Sequence, residues 1–222
     1  VATKLARLKK PPKLAANIDS KKPASESASL GFDPRRAIGG FFEAKAARMF
    51  GLEWADVMAL GHIPDLVSKD RSFFIEVKSS AYDNGGVINM GQLRRFDREI
   101  TARRFYAFAY HSINRGMAKD FRTEKALRDA LAIRSLYVFP FSIVRAHFEK
   151  SWKIRNSRHD TYVQLRESLA KRIFSKDAKA WEALGLDRGQ YNAVSPHEKV
   201  HIMTRSGYLE QQLLDSFNPE SI

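Results

Sequence analysis

The run Ile63-Pro64-Asp65-Leu66-Val67, then Ser68-Lys69-Asp70-Arg71, then Ser72-Phe73-Phe74-Ile75-Glu76-Val77-Lys78-Ser79 decides the reading of this chain. The outer runs are apolar and rich in β-branched and aromatic residues, and the polar run between them is a turn, so two neighbouring strands are predicted. Side chains alternate along a strand, which places Phe73, Ile75 and Val77 on one face and Phe74, Glu76 and Lys78 on the other. Glu76 and Lys78 then stand about 7 Å apart on one face. Antiparallel neighbours lie about 5 Å apart, so Asp65 reaches the neighbourhood of Glu76. Two carboxylates beside a lysine suit Mg²⁺, which takes oxygen ligands while keeping waters and substrate phosphate oxygens. A lysine there can help to deprotonate a water or stabilise negative charge.

Working outward, Asp33-Pro34 signals a helix start, and Ile38, Phe41, Phe42, Met49 and Phe50 give residues 36–50 an apolar face that Gly51 ends. Glu43 lies on or beside that face, where a carboxylate needs a partner. Downstream, the Asn84-Gly85-Gly86 turn precedes an expected helix from Asn89 to Ala102. A strand follows at Phe105–His111, a helix at Lys119–Ala132 and a strand at Leu136–Val144. This order predicts an α/β fold with a mixed central sheet flanked by helices. The tail, residues 145–222, reads as a helical extension for recognition or dimerisation. Its expected helices are Arg145–Ile154, Tyr162–Phe174, Lys176–Leu184 and Pro196–Phe217. Residues 1–30 read as a basic arm, with Lys9, Lys10 and Lys13 among Ala, Ser and helix-breaking prolines. Residues 31–144 form the expected core.

The chain has 222 residues, with 38 Lys and Arg against 25 Asp and Glu, for a formal charge of +13. Such an excess favours a polyanionic partner. There is no cysteine, which excludes disulfides, thiolate zinc sites and a cysteine nucleophile. No apolar run approaches the roughly 18 residues of a membrane span, and the first residues lack the apolar centre of a secretory signal. A cytoplasmic or nucleoid-associated protein, neither secreted nor membrane-bound, is expected.

Pro64-Asp65 and Glu76-Val77-Lys78, with ten residues between the aspartate and the glutamate, resemble the signature of the PD-(D/E)XK nuclease superfamily. Glu43 falls where members often place an extra acidic residue. Gln92-Leu93-Arg94-Arg95-Phe96 looks like the Gln-xxx-Tyr motif of several branches, with Phe96 in place of Tyr. The resemblance covers residues 36 to 144. It implies a restriction-endonuclease-like core that hydrolyses DNA phosphodiesters with one or two Mg²⁺ ions, Mn²⁺ substituting. Asp65, Glu76, the Val77 carbonyl and Glu43 would bind metal, Lys78 would activate the attacking water, and Gln92 would position the phosphate or the lysine. A site-specific, restriction-type endonuclease is expected, acting as a homodimer because cleavage of both strands needs two sites. A Holliday junction resolvase or other structure-specific nuclease is the alternative. A non-catalytic nucleic-acid-binding protein is the alternative of another class. Arg94, Arg95, Arg98, Arg103, Arg104, Lys119, Arg122, Lys153 and Arg155, with the arm lysines, are the expected DNA contacts.

His197-Glu198-Lys199-Val200-His201 spells H-E-x-x-H, which on a helix can grip zinc with the glutamate as base. Too little chain follows to complete a protease site, so an exposed helix start is the preferred reading of these residues.

Overall fold

The computed structural model describes residues 32–55, 64–81, 85–99, 103–155, 162–206 and 208–222. The expected arm, with Lys9, Lys10 and Lys13, lies outside the described residues. The first helix, α1 (Pro34–Met49), starts where Asp33 accepts a hydrogen bond from the Arg35 N–H at 2.9 Å and Pro34 takes the first turn. Two short strands follow, β1 (Glu53–Trp54) and β2 (Leu66–Val67), then β3 (Phe73–Ala81), β4 (Gly86–Asn89), α2 (Met90–Glu99) and β5 (Arg103–His111). Next come α3 (Arg115–Ala118), α4 (Glu124–Ala130), β6 (Ile133–Pro140), α5 (Phe141–Arg155) and β7 (Tyr162–Leu165). The last elements are α6 (Glu167–Phe174), α7 (Ala178–Leu184), β8 (Tyr191–His197), β9 (Val200–Arg205) and α8 (Tyr208–Asp215). The protein is α/β.

The main sheet has seven strands in the order β1-β2-β3-β5-β6-β9-β8. It is mixed: β3 runs parallel to β5 and β6 parallel to β9, and the other neighbours are antiparallel. β4 and β7 form a separate antiparallel pair. Two cores result, one on each face. On the first, Ile75, Val77, Ala107, Ala109 and Val138 pack with Phe42, Ala46 and Met49 of α1 and with Leu127 of α4. On the second, Tyr106, Phe108, Tyr110 and Phe139 pack with Leu93 and Phe96 of α2 and with the α5 and β4–β7 residues. β5 alternates alanine with aromatics, so a helix can lie close on one face while rings fill the wider gap on the other.

The carboxyl-terminal part departs from expectation. It is not a helical extension, because β9 sits between β6 and β8 inside the main sheet. Val200, Ile202 and Thr204 are β-branched at every second position, a strand period that prevails over the apparent helix 196–217. Pro196 is tolerated because β8 is an edge strand. Two smaller differences accompany it. Tyr162–Leu165 alternates and pairs with β4 instead of opening a helix, and Pro140 closes β6 so that α5 begins at Phe141. Removing residues 191–222 should therefore abolish the cooperative urea unfolding transition, because Leu136–Val138 lose their β9 partners; an independent appendage would leave that transition in place.

Candidate active site

β2 pairs with β3 through Leu66 opposite Ile75 and Val67 opposite Phe74. Continued by two residues, that register would set Asp65 against Glu76 and Pro64 against Val77. A proline has no N–H to give the Val77 carbonyl, so a regular ladder cannot continue past this point. The chain bends at Asp65, and the Val77 N–H donates instead to the Asp65 carboxylate at 2.7 Å. N–H and C=O of one strand residue point to the same edge, so the Val77 carbonyl also faces this opening. The Asp65 carbonyl accepts from the Ala55 N–H at 3.0 Å, which ties the bend to β1.

Glu76 lies on the aromatic face and is only 1% exposed. Its Oε1 forms an ion pair with the Lys78 ammonium, two residues along the same face. Its Oε2 is buried without a hydrogen-bond partner. The Asp65 carboxylate lies close enough to Glu76 for each to shift the other's titration. Glu43, reaching in from α1, feels the charges of both Asp65 and Lys78. Four charged side chains from three separate elements thus meet beside the end of β2.

Burial and mutual repulsion shape their titration. Burial, reinforced by the Asp65 charge and partly offset by Lys78, pushes Glu43 up to about 7. Burial likewise holds Asp65 and Glu76 above the ordinary carboxylate range, against the pull of Lys78. Burial disfavours the Lys78 ammonium, but the Glu76, Asp65 and Glu43 carboxylates outweigh it, and its pKa stands above the ordinary lysine value. Lys78 therefore stays charged at neutral pH and donates to Glu76.

Two facing carboxylates in a buried site require a shared proton or a cation. Among the described residues no three His, Asp or Glu side chains converge on one point. Glu43 stands beside the Asp65–Glu76 pair and feels the Asp65 charge. Mg²⁺ commonly uses only one or two carboxylates and fills its other positions with water and phosphate. The unpartnered Glu76 Oε2, the Asp65 carboxylate and the Val77 carbonyl that no proline N–H can satisfy fit such a hard cation.

Gly86 was legible only as part of a turn, yet it shapes the site. A Cβ there would stand 2.5 Å from Phe108 Cδ1 and 3.5 Å from the Lys78 Cβ. Only a glycine lets β4 close over Lys78. Tyr106 stands opposite Glu76 in the β3–β5 register, with no motif in the sequence to mark it. Burial and the Glu76 and Asp65 charges keep its phenol protonated.

The remaining expected residues divide. Gln92 sits half-buried on the first turn of α2, where its N–H caps onto Asn89 Oδ1 at 3.2 Å; the interactions that join the four charged groups do not include it. Phe96 is buried against Tyr106 and Phe141, so a ring there serves the core. Arg94, Lys119 and Arg122 are exposed, and Arg103 is half-buried. Arg104 Nη1 is held by the Phe96 and Asp97 carbonyls at 2.9 and 2.8 Å and by Asp97 Oδ1 at 3.0 Å, so it clamps the end of α2. Arg95 and Arg98 lie on α2, and Lys153 and Arg155 on α5. His197 and His201 fall on two strands of a hairpin, not on one helix. His197 Nδ1 accepts from the Lys199 N–H at 3.1 Å, and His201 Nδ1 meets the Ser195 hydroxyl at 2.9 Å, so the helical basis of a zinc grip is absent. Among the described residues no helix is long and apolar enough to cross a membrane. No protein-family model, curated protein or solved structure matches the chain.

Gly86→Ala should destabilise the protein by about 1–3 kcal/mol in urea unfolding, because the added methyl group overlaps the Phe108 ring. The raised carboxylate of Glu43 binds its proton more tightly in the folded chain. Its contribution to stability is therefore present below about pH 4.5 and lost as pH rises through about 7. Without divalent metal, the thermal midpoint should fall between pH 5 and 8, and Glu43→Gln should flatten that fall.

Proposed function

We propose that the protein is a Mg²⁺-dependent endodeoxyribonuclease with a restriction-endonuclease-like core, acting on both DNA strands as a homodimer. The observation that carries this reading is the buried Asp65–Glu76 carboxylate pair at the point where Pro64 stops the strand ladder, with the Lys78 ammonium beside it. Asp65, Glu76 and the Val77 carbonyl would hold the ion. Magnesium, when bound there, supplies Lewis-acid charge to the scissile phosphate and makes water more acidic. Lys78 donates a hydrogen bond to a phosphate oxygen and stabilises the negative charge that builds up on it. Glu43, with its pKa near 7, accepts the proton of the attacking water at neutral pH.

A cleft of about 780 Å³ begins at Ser79 and Ser80, directly after Lys78, and runs past Arg35 and Lys119. It has room for a substrate backbone, and its two cations suit phosphates. The charge of +13 supports a nucleic-acid partner for the whole chain. A restriction-type enzyme and a junction resolvase share this chemistry and differ in the DNA they prefer. The ion pair of Glu76 with Lys78 favours a second reading, a nucleic-acid-binding protein whose site is neutralised internally and does no chemistry.

Nuclease assays of wild type and Lys78→Ala, with Mg²⁺, Mn²⁺ or EDTA, on supercoiled plasmid, a four-way junction and single-stranded RNA separate these readings. Cleavage is expected with either metal and not with EDTA, and Lys78→Ala should retain DNA binding while losing about 10²–10³-fold in rate. Binding without cleavage of any substrate would support the second reading, and preference for the junction would make the enzyme a resolvase.

A further inference from the structure

The cleft that follows β3 past Lys78 combines three kinds of lining. It opens at the carboxyl ends of the parallel neighbours β3 and β5, the place in an open α/β sheet where ligands bind. Its volume of about 780 Å³ suits one small molecule, for which sites commonly measure about 300–1,000 Å³, and a double helix does not enter it. Ile38 of α1, Val87 of β4 and Ile113 supply apolar wall. Val87 is 37% exposed, a large apolar side chain left at the surface.

Polar groups sit among these. Gln164 is exposed on β7 beside its strand partner Val87, and its amide can donate and accept at once. His111, 3% exposed at the end of β5, is stacked on Phe42 at 5.1 Å. Its Nδ1 has no hydrogen-bond partner, although the Ile113 backbone lies beside the ring. Burial pushes the His111 pKa down to about 4, so the ring is uncharged at neutral pH. The third kind is cationic. Arg35 and Lys119 are exposed, and neither pairs with a carboxylate among the described residues. Asp33, the one acid among the described lining residues, caps α1 by accepting from the Arg35 N–H at 2.9 Å.

A small inorganic anion would use the cations and leave the apolar wall wet. An apolar ligand would use the wall and strip water from the cations without replacing it. A nucleotide carries a phosphate together with a base that is apolar on its faces and polar at its edge, and so matches all three. We propose that the cleft takes one unstacked nucleotide of the substrate strand, with its base on the apolar wall, its edge toward Gln164 and His111 and its phosphate toward Arg35 and Lys119. The proposal rests on the nucleic-acid reading above. Ser80 stands two residues beyond Lys78 on the same face, roughly 7 Å along the strand, so a nucleotide turned into the cleft is a near neighbour of one whose phosphate meets Lys78. Turning a base out of a duplex costs unpairing and unstacking, and a base that is already unpaired costs least. DNA with an unpaired nucleotide is therefore preferred.

The test is fluorescence anisotropy of the full chain in EDTA with two labelled 30-base-pair duplexes, one fully paired and one carrying a single-nucleotide bulge. Wild type should bind the bulged duplex about tenfold more tightly. Gln164→Ala and Val87→Ser should each bring the two affinities to within about threefold. Arg128→Ala, at an exposed arginine paired with Glu124 elsewhere, should keep the wild-type preference. Circular dichroism confirms folding of each variant. Equal affinity of wild type for the two duplexes would overturn the proposal, as would a full preference kept by both folded cleft variants. So would micromolar, Gln164-dependent binding of deoxyadenosine monophosphate by calorimetry without any preference for the bulge, which would make the cleft a free-nucleotide site. Binding of neither duplex would overturn the nucleic-acid reading itself, whereas equal binding of both by a chain that cuts DNA would refute the cleft proposal alone.

Discussion

Val77 gives its N–H to the side chain of Asp65, not to a backbone carbonyl across the ladder, and much of the site follows from that 2.7 Å bond. Pro64 is the cause. With no hydrogen on its nitrogen, it ends the β2–β3 pairing one residue before Asp65 would have been absorbed into it. The bend turns the Asp65 carboxylate back to the opened edge, where it meets Glu76 and leaves the Val77 carbonyl facing the same gap. A sheet is a poor place for two carboxylates unless something compensates their burial, and here Lys78 compensates one oxygen of Glu76 while the other has no hydrogen-bond partner.

The rest of the sheet sustains that arrangement. β5 runs parallel to β3 and buries both its faces, which fixes Glu76 opposite Tyr106 and Lys78 opposite Phe108. Gly86 lets β4 close over them, so the lysine stem is covered while its ammonium stays with Glu76. On the other face α1 brings Glu43 up to the group, where it feels the charges of Asp65 and Lys78. Burial is thus the common origin of the raised carboxylates and of the lysine held cationic, and it assigns donor and acceptor roles among groups that are all acidic or basic in water.

The basic residues sort by the same logic. Arg104 is committed to the end of α2, while Arg35 and Lys119 line the cleft that follows β3 past Lys78.

Local patterns determined β3, α1, α2, β5 and the sharing of one strand face by Glu76 and Lys78, because a period of two residues or of 3.6 is written in adjacent side chains. The resemblance carried by Pro64-Asp65 and Glu76-Val77-Lys78 likewise needed only the order of residues. The sequence could not show that 191–205 joins the central sheet. Val200 finds its partner at Leu136, and a five-residue motif with helical spacing masked the β-branched alternation. Nor could it assign Glu43 a place beside the carboxylate pair, make Arg104 a clamp, or draw Arg35 and Lys119 into one cleft. Those outcomes depend on distances between elements far apart in the chain, and only the closing of the sheet and its two cores sets them.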